Sequence, residues 1–310
     1  LKKCVLTVIQ LIFATVLVAG YGQQAYAQSW IDGADALGVE DFEKAFQIFT
    51  PLAEQGDEWS QFSLGVMYEN AKGTEQNNVE AAKWYELAAE QGHEYSQESI
   101  GNMYYYGKGV VQDYAESLKW HLLAAEQGVA NSQYTLGLQY AQGKGVVQDD
   151  TESLKWHLLA AEQGLDTAQF AAGLDYHLGK GVVQDYTQAA KWYRLAAEQG
   201  NASAQNVLGS MLYNGQGVVQ DYVEAVRLYK MSAAQGKVDS QLRLSAAYYS
   251  GMGILQNYIY AHMWANIAAA QGHSKSQEFR DMIMKKMPAG DLGKAQKLAT
   301  ECVKKQYKDC

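Results

Sequence analysis

Six histidines, three cysteines and a recurring Gly-Lys-Gly are the features of this 310-residue chain whose types could do chemistry. Histidine with thiolate suggests zinc, which holds its ligands at about 2 Å. Here the histidines do not cluster. His121 and His157 stand at equivalent points in two copies of one phrase, Glu-Ser-Leu-Lys-Trp-His-Leu-Leu-Ala-Ala-Glu-Gln-Gly, which begins at Glu116 and again at Glu152. Other copies carry Tyr85, Tyr193 and Tyr229 at that point, so the imidazoles read as core or groove-edge rings. Gly-Lys-Gly lacks the Ser or Thr that follows the lysine of a phosphate loop, and it has helices on both sides where that loop needs a preceding strand. It reads as a turn. There is no His-Glu-x-x-His, Gly-x-Ser-x-Gly or Cys-x-x-Cys. The expectation is no catalytic residue, no metal ligand and no cofactor.

The duplicated phrase belongs to a longer period. Its closing Gln-Gly recurs with glycine at 56, 92, 128, 164, 200, 236 and 272, each step being 36 residues. A second series, Gly107, Gly143, Gly179, Gly215 and Gly251, keeps the same step. Its Gly-x-Gly partner falls at Gly73, Gly109, Gly145, Gly181, Gly217 and Gly253. Periods of this size mean stacked supersecondary units.

Each repeat divides into two helices. In residues 93–128, apolar or small residues at 96, 100, 101 and 104 give helical spacing from Glu94 to about Tyr106. Gly107 suits a left-handed helix end, and Val110-Val111-Gln112 is a short extended linker. Asp113 with Glu116 three residues on has the form of a capping box, the acid reaching back to the cap. The form returns as Asn77/Glu80, Asp149/Glu152, Asp185/Gln188 and Asp221/Glu224, while Asn257/Tyr260 lacks the acid. The second helix runs to Glu126. Its buried face is expected to alternate large and small residues. Trp falls at 84, 120, 156, 192 and 264 with Leu228 in the remaining copy; Leu, Met or Ile falls at 87, 123, 159, 195, 231 and 267; Ala or Ser fills 88, 89 and their equivalents. Lys or Arg at 83, 119, 155, 191 and 227 marks a solvated face.

The repeat resembles the Sel1-like repeat, a relative of the tetratricopeptide repeat. The resemblance rests on Leu64-Gly65-Val66-Met67-Tyr68, on Gly-x-Gly-Val, on Asp-Tyr-x-x-Ala, and on Trp192-Tyr193-Arg194-Leu195-Ala196-Ala197-Glu198-Gln199-Gly200. It covers six full repeats over residues 57–272. Ala71 replaces the first Gly of the turn, Leu212 replaces Tyr and Ser245 replaces Gly in single copies. Residues 28–56 form an N-terminal half repeat, in which Asp41 to Glu54 match a second helix. Residues 273–310 supply a further first helix over 274–287, stopped by Pro288, and a capping helix from Asp291 through Lys305. Lys294, Lys297, Glu301, Lys304 and Lys305 give that last helix a polar surface, which suits the end of a stack.

The resemblance implies an all-α fold, a right-handed α-α superhelix (solenoid) of helix-turn-helix repeats with a 36-residue period. It also implies a concave groove lined by the first helices. By analogy with tetratricopeptide repeats, anchored on Leu-Gly, the groove stripe of residues 93–128 is 95, 98, 102, 105 and 106, apart from the packing stripe at 97, 100, 101 and 104. Across the copies that stripe gives Trp59, Phe62, Tyr95, Tyr105, Tyr106, Tyr134, Phe170, His177, Tyr213 and Tyr249 as partner-binding residues, with Asn102, Asn131, Asn206 and Asn214 interspersed. Aromatics with amides on one face suit an extended peptide or a carbohydrate. The same rings could instead pack against neighbouring repeats. Members of the family commonly act as adaptors, so the implied function is an envelope scaffold for a protein or peptide. The alternatives are a β-lactamase-like or penicillin-binding enzyme, as among cysteine-rich Sel1 relatives, and a cell-wall glycan binder. Those relatives carry a cysteine pair in each repeat, which this chain lacks.

Composition frames these readings. Two prolines and 29 glycines fit helices punctuated by turns. Lys2 and Lys3, the apolar stretch Val5 to Gly20 and Ala25-Tyr26-Ala27 read as a signal peptide over residues 1–27. The apolar stretch is short for a membrane span, which needs about 20 residues. Export to a bacterial periplasm or beyond is expected, with no stable membrane insertion after cleavage. Cleavage takes two of the 25 basic residues and none of the 34 acidic ones, leaving a net charge of −11. Such a surface repels phosphate backbones, so nucleic acid is not an expected partner. Cys302 and Cys310 remain. On one continuous helix they would lie about 12 Å apart, too far to bridge. A disulfide requires the helix to stop after roughly Lys305; otherwise both are free thiols.

Overall fold

The computed structural model describes residues 28–308 and 310; the signal peptide expected over 1–27, with Cys4, and residue 309 lie outside the described residues. The regular elements among the described residues are helices, with short 13-residue rods the rule. The chain divides into two units, one ending at Gln148 and one beginning at Asp149. In the first unit α1 (residues 28–38) is followed by α2 (Phe42–Glu54), α3 (Glu58–Glu69), α4 (Asn78–Glu90), α5 (Glu94–Tyr106), α6 (Tyr114–Glu126) and α7 (Ala130–Gln142). The second holds α8 (Asp150–Glu162), α9 (Asp166–Leu178), α10 (Tyr186–Glu198), α11 (Ala202–Asn214), α12 (Tyr222–Ala234), α13 (Val238–Ser250), α14 (Tyr258–Ala270), α15 (Ser274–Met284) and α16 (Asp291–Lys304). Within each unit a helix packs on its chain neighbours, except that α16 packs on α14 rather than on α15. No helix among the described residues is long and apolar enough to cross a membrane.

The Gly-x-Gly turn sets the distance between repeats. Gly107 closes α5 in the left-handed conformation with φ 66°. Gly109, with φ 76°, presses its Cα on the backbone of the preceding repeat, where a Cβ would collide with the carbonyl of Asn78. The same contact pairs Gly73 with Phe42, Gly145 with Tyr114, Gly181 with Asp150 and Gly253 with Tyr222. In every case the carbonyl belongs to the first residue of a second helix. Ala71 holds the left-handed place of the first turn glycine at φ 54°.

A second device explains the recurring Gln-Gly. Gln91 Nε2 donates to the carbonyl of Gly56 at 2.9 Å and to Gln61 Oε1 at 2.8 Å. Gln61 in turn donates to the carbonyl of Ala53 at 3.1 Å. The chain of amides recurs at Gln127 and Gln97, and at Gln199 and Gln169. Helix ends leave carbonyls without partners, and these glutamines satisfy them across the seam between repeats.

The core confirms the two-helix repeat but moves one stripe. Tyr85, His121, His157, Tyr193 and Tyr229, one position after the Trp series, are buried rings of the second helices, alongside Trp120, Trp156 and Trp264 of the expected series. Of the row expected on the buried face, Leu87, Leu123, Leu159 and Leu195 are 37–38% exposed and Met231 is half-buried, while Ile267 is buried. The reason is glycine on the facing helix. A Cβ on Gly65, Gly173 or Gly209 would overlap the ring of Tyr85, Tyr193 or Tyr229, and one on Gly101 would touch His121. The missing side chain makes the slot, so the ring enters and the leucine two residues on is rotated outward. Ser245, in the repeat that departs from glycine, donates to the carbonyl of Ala261 at 2.6 Å, and the facing ring position there is Ala265.

The caps also differ from the expected box. Asp113 Oδ1 accepts from the amides of Ala115 and Glu116 at 2.8 and 3.1 Å. Glu116 does not reach back, because the Asp113 amide already donates to the carbonyl of Tyr104 at 3.0 Å. The acid pairs with Lys119 at 3.1 Å instead, and Glu152–Lys155 and Glu224–Arg227 follow suit.

At the C-terminus α15 stops at Met284, short of residue 287, and Pro288 follows. Ala295, Ala299 and Cys302 of α16 are buried while its lysines stay outside. The helix ends at Lys304; Gln306 and Tyr307 take positive φ, and the tail turns back so that Cys302 and Cys310 form a disulfide with their Cα atoms 5.5 Å apart.

Two predictions follow from the packing. In Gly145→Ala a backbone carbonyl stands in the way, while Gly128→Ala at φ 95° meets only conformational strain. Urea denaturation should show a loss of about 3 kcal/mol or more for the first and about 1–2 kcal/mol for the second. Equal losses would mean the contact with Tyr114 is unimportant. The second prediction concerns His121, which is fully buried and has its pKa lowered to about 4 by desolvation. The folded value lies below the unfolded one near 6.5. The stability linked to this group is therefore complete above that pH and is lost as pH falls through 4. The loss reaches about 3 kcal/mol at roughly 1.4 kcal/mol per unit. His121→Tyr, which installs the ring of the equivalent repeats, should lose correspondingly less stability between pH 7 and pH 4 by urea titration. A constant offset between the two proteins would contradict the assignment.

Candidate functional site

The residue that follows each Gln-Gly caps the first helix of the next repeat. It also varies among the copies: Asp57, His93, Val129, Leu165, Asn201, Lys237 and His273. At Asp57 the carboxylate accepts from the amide of Ser60 at 2.7 Å. At His93 the ring does the same work, Nδ1 accepting from the amide of Ser96 at 3.1 Å. That use of the imidazole as a cap places it between α3 and α5. Its centroid lies 4.4 Å from Trp59, 4.7 Å from Phe62 and 6.0 Å from Tyr95. Three of the ten expected partner-binding residues thus form one cluster around a histidine the sequence reading passed over. Trp59 is 43% and Tyr95 48% exposed, while Phe62 is half-buried against Tyr85. Burial lowers the His93 pKa, with Glu94 and then Glu58 opposing it, so the ring is neutral at pH 7.

A second cluster lies at the other end of α5. Tyr105 packs on Tyr106 at 4.9 Å and on Tyr114 at 5.2 Å. Its hydroxyl accepts from Lys144 Nζ at 2.9 Å, and that ammonium also sits 4.8 Å over the ring. Tyr105 is held by the next repeat's turn, whereas Tyr106 is 72% exposed. Beside Tyr106 a cavity of about 420 Å³ is lined by Glu69, Ser99, Asn102, Met103 and Lys108. Glu69 accepts from Tyr85 and from Lys108, both at 2.8 Å, so its charge is met. Asn102 is half-buried and makes no side-chain hydrogen bond among the described residues. Asn131 is bonded to Glu98, whose pKa burial raises. Tyr134, further along the stripe on α7, is half-buried.

In the second unit the expected residues are dispersed and half-buried. Phe170 lies against Tyr193 at 5.5 Å, and His177 lies between Tyr186 and Tyr193. Tyr213 meets Tyr222 edge to face at 4.9 Å, and its hydroxyl reaches Met252 Sδ at 2.9 Å. Tyr249 is enclosed by Tyr258, Phe279 and Lys286. Asn206 accepts from Ser240 at 2.9 Å, and Asn214 donates weakly to Ser210 at 3.5 Å. These rings pack against neighbouring helices. Tyr114, Tyr186, Tyr222 and Tyr258 are their partners. The recurring Asp-Tyr or Asn-Tyr at each second-helix start was the sequence signal for them.

The remaining histidines are structural. His121 Nδ1 bonds Ser132 at 3.2 Å. His157 Nδ1 bonds Asp175 at 2.7 Å, with both side chains buried. Among the described residues no group of three His, Cys, Asp or Glu is placed to hold a metal ion.

Comparison with known proteins agrees with this architecture. The Sel1 repeat family model matches residues 31–57, 60–93, 95–129, 130–165, 167–201, 202–237 and 238–273. A Sel1 repeat protein from Oxalobacter formigenes is 30% identical, covering 77% of this chain and 96% of its own, with a TM-score of 0.69. A protective antigen present in uropathogenic Escherichia coli strains, displaying an SLR fold, is 24% identical over 92% of this chain and 86% of its own, with a TM-score of 0.53. A comparison with curated proteins gives no match. The repeat, its turn and its paired helices are thus those of a scaffold fold typical of protein–protein interaction, and the chain belongs to the Sel1 repeat family.

Proposed function

We propose that this chain is an exported, non-catalytic scaffold that docks a segment of a protein partner along the first helices of its first unit. One observation carries the reading: Asn102, with an unpaired amide, stands beside the bare ring of Tyr106 at the mouth of a polar cavity. An amide can pair with both the N–H and the C=O of an extended backbone. A tyrosine offers area at low entropic cost. The neighbouring rings Tyr105 and Tyr114 are fixed by Lys144, so the platform is preorganised.

Export is supported by the basic head, apolar stretch and Ala-x-Ala of residues 1–27. The Cys302–Cys310 disulfide fits an oxidising compartment, which makes the periplasm or the exterior the proposed location. The same bond argues against thiol chemistry, since it leaves neither sulfur as a nucleophile.

The test uses the chain from Gln28 onward, immobilised and exposed to envelope extract, with bound proteins quantified by mass spectrometry. Asn102→Ala/Tyr106→Ala should reduce recovery of the specific partner at least tenfold, as expected when an interface anchor is truncated. The circular dichroism spectrum and urea midpoint should stay unchanged, because neither side chain supports the core. Equal recovery of every protein by both forms would overturn this choice of face.

A further inference from the structure

The first-helix layer of the first unit has a one-sided charge. Helices α3, α5 and α7 carry no Lys or Arg, but they carry Glu58, Glu69, Glu94 and Glu98. The cations nearest in sequence are the turn lysines, and each is engaged. Lys72 lies over Phe42 at 4.8 Å, Lys108 pairs with Glu69 at 2.8 Å, and Lys144 bonds Tyr105 at 2.9 Å. Glu69 is neutralised by that pairing. Glu58 and Glu94 form no ion pair among the described residues. Both stand at the first position of their helices and both act electrostatically on His93.

His93 sits at the centre of the exposed aromatic cluster. It is 2% exposed, so the ring is a fixed wedge against which Trp59 stands edge to face at 87°. Because Nδ1 accepts from Ser96, the ring proton lies on Nε2, which has no hydrogen-bond partner among the described residues. Nε2 is itself enclosed, so the ring serves to space Trp59 and Tyr95 and offers no hydrogen bond outward. The neutral imidazole adds no positive charge to the patch. Trp59 and Tyr95 are the exposed rings of the cluster, and Glu58 and Glu94, each one residue before them in the chain, form no ion pair among the described residues.

We infer that Trp59, Tyr95, Glu58 and Glu94, organised around His93, form the seat for a Lys or Arg side chain of a basic peptide segment. The inference rests on the docking reading above and names the chemistry of the partner. Aromatic faces attract a cation lying within about 6 Å of the ring centroid. Carboxylates beside them add a charge-assisted hydrogen bond. A negatively charged side chain gains neither, and a neutral donor keeps the hydrogen bond but loses the attraction of the cation to the rings and to the carboxylate charge. The acidic balance of the whole chain, −9, steers a basic segment in the same sense.

The probes are three capped peptides differing at their central residues: acetyl-(Gly-Arg)₃-amide, its citrulline counterpart and its glutamate counterpart. Binding to the chain from Gln28 onward is read from tryptophan indole NMR shifts, with Trp59 assigned by its Phe variant. The arginine peptide should shift the Trp59 signal and bind at least tenfold more tightly than the citrulline peptide, which keeps the shape and loses the charge. The glutamate peptide should not bind. Glu58→Gln/Glu94→Gln should weaken the arginine peptide at least fivefold, and raising salt from 50 to 300 mM should weaken it further. Equal binding of arginine and citrulline peptides, or a shift confined to other tryptophans, overturns the seat. So does a partner whose recovery depends on Asn102 and Tyr106 but is indifferent to Trp59→Ala and to Glu58→Gln/Glu94→Gln. That last result would leave the docking face standing without a cation seat.

Discussion

The structure depends on a backbone contact that admits no side chain. Each turn sets the second glycine of Gly-x-Gly on the carbonyl at the start of the preceding second helix, as Gly109 meets Asn78 and Gly181 meets Asp150. A contact with no Cβ to spare has one workable distance, and positive φ at the same residue fixes the direction in which the chain leaves. Spacing between repeats is thereby set by backbone atoms. The glutamine ladder then locks the opposite ends of the helices, Gln91 joining Gly56 and Gln61 across the seam. Between these two fastenings the side chains need only fill the slots that Gly65, Gly101, Gly173 and Gly209 open for a ring.

Because backbone geometry holds the repeat in place, some side chains are released from structural duty. The first-helix caps show this most plainly. Any residue that lets the chain enter the helix is tolerated after Gln-Gly: Asp57 and His93 cap with a side chain, while Val129 and Leu165 make no such bond. In the first unit that freedom has been used to place an imidazole among Trp59, Phe62 and Tyr95. In the second unit the equivalent stripe is consumed by packing, Tyr213 on Tyr222 and Tyr249 on Phe279. The surface suited to a partner is therefore local. It is concentrated where Trp59, Tyr95, Asn102 and Tyr106 remain uncovered.

Most of the fold was legible in the letters because a period repeats its own evidence. Helix ends, turns and the 36-residue step are written several times over in Gln-Gly, Gly-x-Gly and the Asp or Asn cap. Less legible was which of two adjacent rows turns inward. Trp84, Tyr85 and Leu87 all look apolar, and the choice between Tyr85 and Leu87 was made by Gly65 on the facing helix, a residue whose effect is an absence. The capping boxes misled for a similar reason: the amide of Asp113 was already taken by Tyr104, a partner outside the four-residue motif. The candidate site was partly legible. Its aromatics lay on the expected stripe, but only three-dimensional packing separates the enclosed Tyr249 from the bare Tyr106. His93 carried no distinguishing signal in the sequence, since its position varies from copy to copy and His273 shares the residue; only packing sets it among Trp59, Phe62 and Tyr95.

The central claim is that a partner lies against the first helices of the first unit and not on the outer, lysine-bearing face of the second helices. Site-specific photocrosslinking reads this directly, with benzoylphenylalanine placed at Tyr95, Tyr106 or Lys119 in the chain from Gln28 onward. Tyr95 and Tyr106 should each give one discrete crosslinked product and Lys119 none. Crosslinks from Lys119 alone, with Tyr95 and Tyr106 silent, would contradict it.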